Sequence, residues 1–407
     1  MNLDTEDKLG GGILIQNTKR RPNSSGNIER TNPIAFIHNT LIANNTTMGS
    51  GGGIRNQSGR LTIVDSTIDN NTADGFGGGL SVGTINSIPA RTSILGSNVT
   101  NNTAQEFSGG IRSIFIELTV GESIASNIMA TKDGGGISFV GQEGQLLDIR
   151  GTNISDNEAA NGAGIAHQDG NFDVLNSTLS ANVASESGGG IALRGTEQVT
   201  SIANATISGN NATHDGGGIW QEAGSVTLTN GTIVLNDAGV IGGFALSDGE
   251  KARMVNTIVA GNTTSQSNHS DIEFLAGQPS INIFRTYHNL IGDPNTAGGL
   301  IGSPTQSFKG ENVNLDANFS IIGNLDENNN AVPWNIEQLI FTTLADNLGG
   351  STPVHALKVG SIAIDSGSPV VPSRRDGIPI DSQNSVIFLR RSWMTMAIQL
   401  WMLKATH

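Results

Sequence analysis

A glycine-rich phrase recurs along this chain, and its recurrence restricts what the chain can fold into. In its fullest form it reads Gly-Gly-Gly-Ile. It ends at Ile13, Ile54, Leu80, Ile111, Ile137, Ile165, Ile191 and Ile219. A second phrase alternates with it: a small polar residue, an apolar residue, two polar residues and an asparagine. Its apolar member is Ile42, Ile68, Val99, Ile124, Ile154, Leu179, Ile207, Ile233 or Val259. Three residues later stands Asn45, Asn71, Asn102, Asn127, Asn157, Asn182, Asn210, Asn236 or Asn262. The successive spacings are 26, 31, 25, 30, 25, 28, 26 and 26 residues. Self-similarity at such a period marks a chain built from stacked supersecondary units.

A looser phrase alternates apolar and polar residues over a few positions, as in Leu61-Thr62-Ile63, Leu147-Asp148-Ile149, Phe172-Asp173-Val174 and Val226-Thr227-Leu228. Period-two alternation over so short a span reads as a strand with one face buried. Each repeat is therefore expected to hold three short strands separated by turns. That is one coil of a parallel β-helix, and the predicted fold is all-β: a right-handed, single-stranded parallel β-helix, or solenoid. Coils stacked at the ordinary strand spacing of about 4.8 Å make nine of them a rod of roughly 40 Å. Register then places Ile over Ile inside, and the nine asparagines in one internal amide ladder. Such a ladder satisfies polar groups that a sharp interior turn would otherwise strand. The glycines supply the corner before it.

Composition agrees with a thin-cored, elongated molecule. Of 407 residues 54 are Gly, while Phe numbers 13, Trp 4 and Tyr 1. A compact domain of this size would lack bulky core filler, yet 36% hydrophobic residues is too many for a disordered chain. The net charge of −14 repels phosphate backbones, so no nucleic-acid partner is expected. With no Cys there is no disulfide, thiolate zinc site or cysteine nucleophile. No apolar stretch is long enough to span a membrane as a helix. The opening MNLDTEDKLGGGILIQN has neither a basic region nor an apolar run, and the repeat phrase is already present at Gly10–Ile13. We expect the N-terminal cap, and an export signal with it, to lie upstream.

The repeat pattern resembles that of right-handed parallel β-helix surface proteins of bacteria. The GGGI…N pair is also similar to the GGA(I/L) and FxxN repeats of polymorphic outer-membrane proteins, with Ile, Leu or Val here in place of Phe. NTIVAGNTTSQSNHSDI (256–272), HNLIGD (288–293), LADNLGGSTPVHALKVGSIAIDSGSP (344–369) and RRDGIPI resemble the terminal region of secreted β-helix proteins of the choice-of-anchor type. The resemblance covers about residues 10–380. It implies export and display at a bacterial surface, and no particular reaction. The expected organisation is repeats over 1–262, a terminal continuation over 263–370, with the solenoid spanning about 9–370, and an irregular tail over 371–407.

In that tail, NSVIFLRRSWMTMAIQLWMLKATH departs from the rest of the sequence. Trp and Met have single codons, and a two-base shift turns Trp393-Met394-Thr395 into Asp-Asp, Met396-Ala397 into Gly and Trp401-Met402 into Asp. The other shifted codons are compatible with DDDGDTTVDV, so we expect a frameshift here; an amphipathic terminal helix is the alternative.

The chemistry the sequence offers is sparse. Asn-Thr-Asp, Asp-Asp and Gly-His-Gly phrases of polygalacturonase-like enzymes do not occur. Asp69, Asp133, Asp148, Asp156, Asp173 and Asp215 fall at differing places in their repeats, so no calcium cluster is expected. His214-Asp215 and His167 with Asp169 read as turn or core residues rather than base and orienter. Arg55 and Arg112 share one repeat position two coils apart, a spacing suited to a carbohydrate contact, and Trp220 follows at the same offset as a stacking platform or a filler. The glycine triplets lack the lysine of a phosphate loop, so no cofactor and no metal are expected. Catalytic residues stay unassigned. The expected role is adhesive or structural: rows of Thr, Ser, Asn and Asp presented to polysaccharides or cell-surface proteins, extracellularly or at the bacterial surface. The alternative is a carbohydrate-active lyase or epimerase.

Overall fold

The computed structural model describes residues 10–16, 33–83, 91–195, 199–247, 251–275, 288–298, 300, 320–345, 352–359 and 361–363. The chain winds into a parallel β-solenoid of about nine turns. Each coil carries four strands rather than the three expected. In one coil these are Ile54–Asn56, Arg60–Val64, Thr67–Asp69 and Thr72–Ala73. Equivalent strands of successive coils pair in parallel and make four sheets of 10, 9, 11 and 9 strands. The fourth strand spans two residues, too few for alternation to announce it. Its inward residue is an alanine in most coils, and Ala130, Ala159, Ala184, Ala212 and Ala238 form a narrow apolar column of their own.

Spacings between strands explain the uneven repeat length. Second and third strands start seven residues apart in every coil, as Arg60 to Thr67 and Lys251 to Ile258. Third and fourth start five apart, as Thr67 to Thr72 and Ile258 to Thr263. First and second start six apart from Ile54 to Arg60, but eleven apart from Leu80 to Arg91. Nearly all length variation is therefore confined to the corner after the first strand.

Register keeps like over like. Ile111 pairs with Leu80 and Ile137, and Ile165 with Ile137 and Ile191. Inward side chains of the first three sheets join in one continuous core, with Phe139, Phe172 and Phe244 its largest members. Glycine corners admit the close approach of coils. At Gly188, φ is +72°, and a Cβ on Gly189 would run into the carbonyl oxygens of Asn211 and Gly217 in the next coil. Only a residue without a side chain fits both demands.

The asparagine ladder is present, in two runs. Asn45 Nδ2 donates to Asn71 Oδ1 (2.8 Å), and Asn71 to Asn102 (3.0 Å). The second run passes from Asn157 to Asn182 (2.9 Å), Asn210 (2.8 Å), Asn236 (2.9 Å) and Asn262 (2.9 Å). From Asn71 onward each amide also donates to a carbonyl one coil back, as Asn210 Nδ2 does to Leu179 O (3.1 Å), while Asn45 Nδ2 reaches Ala43 O of its own coil (3.1 Å). The amide-to-amide bonds are directional, each running from an Nδ2 to the Oδ1 of the asparagine at the next higher number.

Asn127 is not a rung. It occupies the exposed corner just before, at φ +54°. Ile128 fills the ladder position, and its backbone N–H reaches Asn157 Oδ1 at 3.2 Å. The register shows why: Ala125, not Ile124, pairs with Val99 and Ile154. Ile124 faces outward and is 41% exposed. Small Ala125 and large Ile128 fill that coil together, so the sequence pattern aligned one residue too early.

A second column escaped the sequence reading. At the corner between second and third strands, Thr40 N–H donates to Ser66 Oγ, Ser66 N–H to Ser97 Oγ and Ser97 N–H to Ser123 Oγ, each at 3.1 Å. The residue before each hydroxyl takes a positive φ in turn: Asn39, Asp65, Gly96 and Glu122. Outside this column, Asn256, Asn230, Asn204 and Asn176 form a further amide chain, running toward lower numbers.

Two isoleucine–asparagine exchanges test the ladder. Asn210→Ile strands the backbone N–H and amide of Asn182 and is expected to lower unfolding stability by about 3 kcal/mol or more, the cost of two unpaired buried donors. Ile128→Asn joins the two runs and is expected to stay within about 1 kcal/mol of the parent. Urea unfolding of both variants measures the contrast, and equal losses would remove the ladder's role.

Candidate functional site

The third sheet is the longest, with 11 strands. Inward it carries the apolar column from Ile42 to Ile322. Outward, one row reads Thr67, Asn98, Ile124, Asn153, Thr178, Thr206 and Thr232, and a second reads Asp69, Thr100, Ser126, Ser155, Ser180 and Ser208. Neighbours in each row are one coil apart, about 4.8 Å. Thr67, Asp69, Asn98, Thr100 and Asn153 keep solvent contact. Asp69 accepts from Thr100 Oγ1 and Asn101 Nδ2 of the next coil, both at 2.7 Å, so successive coils are tied along the second row.

Toward the C-terminal end the same face is covered. Outward positions turn apolar at Val234, Ile258, Ala260, Leu290 and Ile321, and a returning segment packs on them through Trp334, Leu339, Ile340 and Ile362. The segment then runs back over the threonine row as a strap. Thr178 Oγ1 donates to Pro353 O (2.6 Å), and Thr352 Oγ1 to Asn176 O (3.3 Å). His355 closes it. Its Nδ1 lies 2.8 Å from Phe341 O, which can only accept, so Nδ1 carries the proton and Nε2 receives Ser208 Oγ–H at 2.7 Å. Burial holds the His355 pKa below the ordinary value, in keeping with the neutral ring.

Where strap and solenoid meet lies a cavity of about 410 Å³, lined by Gly261, Thr263, His269, Pro333, Trp334, Asn335 and Ile336. Its wall is largely apolar. Trp334 is buried, and its Nε1–H has no partner. Nothing in the repeat pattern pointed to it, because its two halves lie some seventy residues apart and meet only through the strap.

Asp271 ends the asparagine ladder. Asn262 donates to its Oδ1 through Nδ2 (2.9 Å) and the backbone N–H (3.2 Å), and Asp293 N–H donates to its Oδ2 (2.8 Å). A terminal rung has no later coil to donate to, so an acceptor-only side chain suits it. Full burial outweighs these donors and lifts its pKa to about 7.

The other candidates of the sequence reading occupy structural places. Arg55 and Arg112 are largely covered, and each donates to a serine of the next coil, Ser81 and Ser138. Phe107 lies 4.9 Å from the Arg112 guanidinium, and burial draws its pKa down to about 10. Both are ties between coils rather than open sugar contacts. Arg194 stands 5.1 Å from the Trp220 ring centroid and pairs with Asp133 (2.6 Å) and Glu222 (3.1 Å), so that ring face is occupied. His167 points inward, stacked between Phe139 (5.3 Å) and Phe172 (4.9 Å). His214 is exposed on a corner, and burial raises the neighbouring Asp215. Asp148 and Asp173, expected at differing places, are register partners on the second sheet, with Arg150 Nε 2.8 Å from Asp148. Among the described residues no group of three or more His, Asp or Glu side chains could hold a metal ion. No described helix is long and apolar enough to cross a membrane.

No protein-family model matches the chain, and neither a curated protein nor a solved structure matches it.

Asp271 sets a pH dependence. Its pKa rises on folding from 3.8 to about 7, so between those values the folded chain holds a proton the unfolded chain has lost. Its contribution to stability is full at low pH and declines as pH rises through this window. The difference in unfolding midpoint between parent and Asp271→Asn, followed from pH 4 to 7.5, is expected to shift against the parent as pH rises; a difference that stays constant contradicts it.

Proposed function

We propose that this protein is a stiff adhesive or structural rod that works outside the cell, presenting the open rows of its third sheet to glycans or to partner proteins. The register of those rows carries the proposal. Thr67, Asn98 and, one coil beyond Ile124, Asn153 lie on one line and Asp69 and Thr100 on another, with the coil as the step. A ligand with its own periodicity, such as a polysaccharide, meets short polar side chains at steps of one coil, with Ile124 the apolar step between Asn98 and Asn153. Each contact is weak, and affinity accumulates by multivalency. The acidic surface favours neutral glycans over anionic ones. Likeness of the C-terminal motifs to secreted β-helix proteins supports placement at a bacterial surface.

Retention on immobilised neutral polysaccharides tests the reading. The parent chain is expected to be held, and the variant Thr67→Ala/Asn98→Ala/Asn153→Ala to dissociate at least about tenfold faster with an unchanged unfolding midpoint. Equal retention of both on every glycan, or no retention of the parent, contradicts it.

A further inference from the structure

We infer that the overhanging half of the strap is a self-supplied occupant of the third sheet's polar rows, and that a neutral glycan chain displaces it and gains the rows beneath. The inference rests on the glycan-binding reading for its ligand, and adds to that reading a cover that regulates it. The strap is one side of an antiparallel ribbon. Ala345 and Val354 exchange two backbone hydrogen bonds (3.0 and 2.9 Å), Phe341 N–H donates to Ala356 O (2.9 Å) and Lys358 N–H to Leu339 O (3.0 Å). The ribbon is anchored at one end only. Leu339, Ile340 and Leu357 join the apolar cluster with Val234, Ile258 and Leu290, while no described residue from 341 to 356 does.

The overhanging half lies on polar ground. Among the described residues three hydrogen bonds tie it to the sheet: Thr178 Oγ1 to Pro353 O, Thr352 Oγ1 to Asn176 O, and Ser208 Oγ to His355 Nε2. They leave the first row badly matched. Thr178 is satisfied, but in the coils on either side of it Asn153 Oδ1 and Thr206 Oγ1 are buried without a partner. Thr206 has no exposed surface at all. Pro353 has no N–H, so at this point the strap backbone offers a carbonyl and no donor. A buried polar group without a partner costs free energy, so a cover that leaves two of them opens locally with little loss.

The unmet groups define what replaces the strap. Asn153 Oδ1 only accepts and needs a donor, whereas Thr206 Oγ1 both donates and accepts. A sugar hydroxyl also does both, and so meets either group. The outward positions under the strap, Thr178, Ser180, Thr206 and Ser208, carry hydroxyls and no charge. An uncharged polyol chain fits them, and a uronate finds no countercharge there. These positions continue the line through Asn98 and Asn153 in the same register, so a chain bound on the open rows reaches the edge of the strap.

The chain has no cysteine, so a single introduced thiol reports on the cover. In Thr206→Cys the thiol lies beneath the strap; in Ile207→Cys, one residue on, it faces the core. Alkylation of Thr206→Cys by iodoacetamide is expected to be at least about a hundredfold faster than that of Ile207→Cys, because local opening precedes global unfolding. Equal rates overturn the proposal. Thr352→Ala/His355→Ala removes two of the three ties. Added to Thr206→Cys, it is expected to speed alkylation about tenfold further, and Thr352→Ala alone to act in the same direction by less. On immobilised dextran, mannan and galactan the loosened chain is expected to dissociate at least about threefold more slowly than the parent, since it has more rows to bind. The two readings fail separately. Retention unchanged by loosening defeats the strap as a competitor and leaves the rod surface standing. Retention of the loosened chain alone does the reverse, upholding the covered rows and defeating the open ones. Retention of neither chain defeats both.

Discussion

Vertical register of the coils is the constraint on which everything else depends, and buried amides enforce it. A solenoid with only apolar inward residues could slip by two positions and still bury its core. Asparagine cannot slip, because its carbonyl must receive two donors from one coil while its amide serves two others, as Asn182 and Asn210 do. A misplaced coil would leave several buried polar groups unpaired. The hydroxyl column from Ser66 to Ser123 applies the same discipline at a second corner. Glycine, where a Cβ would strike the next coil, makes the close approach possible.

The direction of hydrogen bonding gives the ladder two unlike ends. At the C-terminal end Asp271 replaces asparagine, accepts from Asn262 and needs no onward donor. The same end carries the strap and the cavity. A regular coil cannot make a concave site, since each one repeats the surface of the last. Irregularity is required, and it arises where the ladder stops and the chain turns back.

Much of the architecture was legible in the sequence because stacking imposes the same choice at every coil. Ile-over-Ile register, the glycine corner and eight of the nine rungs could be read from spacing alone. Errors came where a local choice was ambiguous. Ile124 and Ile128 both look like core, and only the pairing of Ala125 with Val99 decides which is inside. The two-residue fourth strand carries too little pattern to be seen. The hydroxyl column was in plain view, but Ser and Thr are too common here for four positions to stand out. Strap and cavity rest on contacts such as Thr178 with Pro353, 175 residues apart, which no periodicity encodes. The sequence tail beyond residue 363, where a frameshift is expected, lies outside the described residues.

The corner after the first strand has a consequence of its own. It alone absorbs the difference between a six-residue and an eleven-residue connection, as from Ile54 to Arg60 and from Leu80 to Arg91. Both internal columns sit on other corners, so added length there disturbs neither. Along one flank of the molecule the chain is therefore free to acquire new segments coil by coil, while the opposite flank is held to a fixed count. A lineage of such proteins could diversify one side at little risk to folding, and the rigid side would supply the frame on which each novelty is carried.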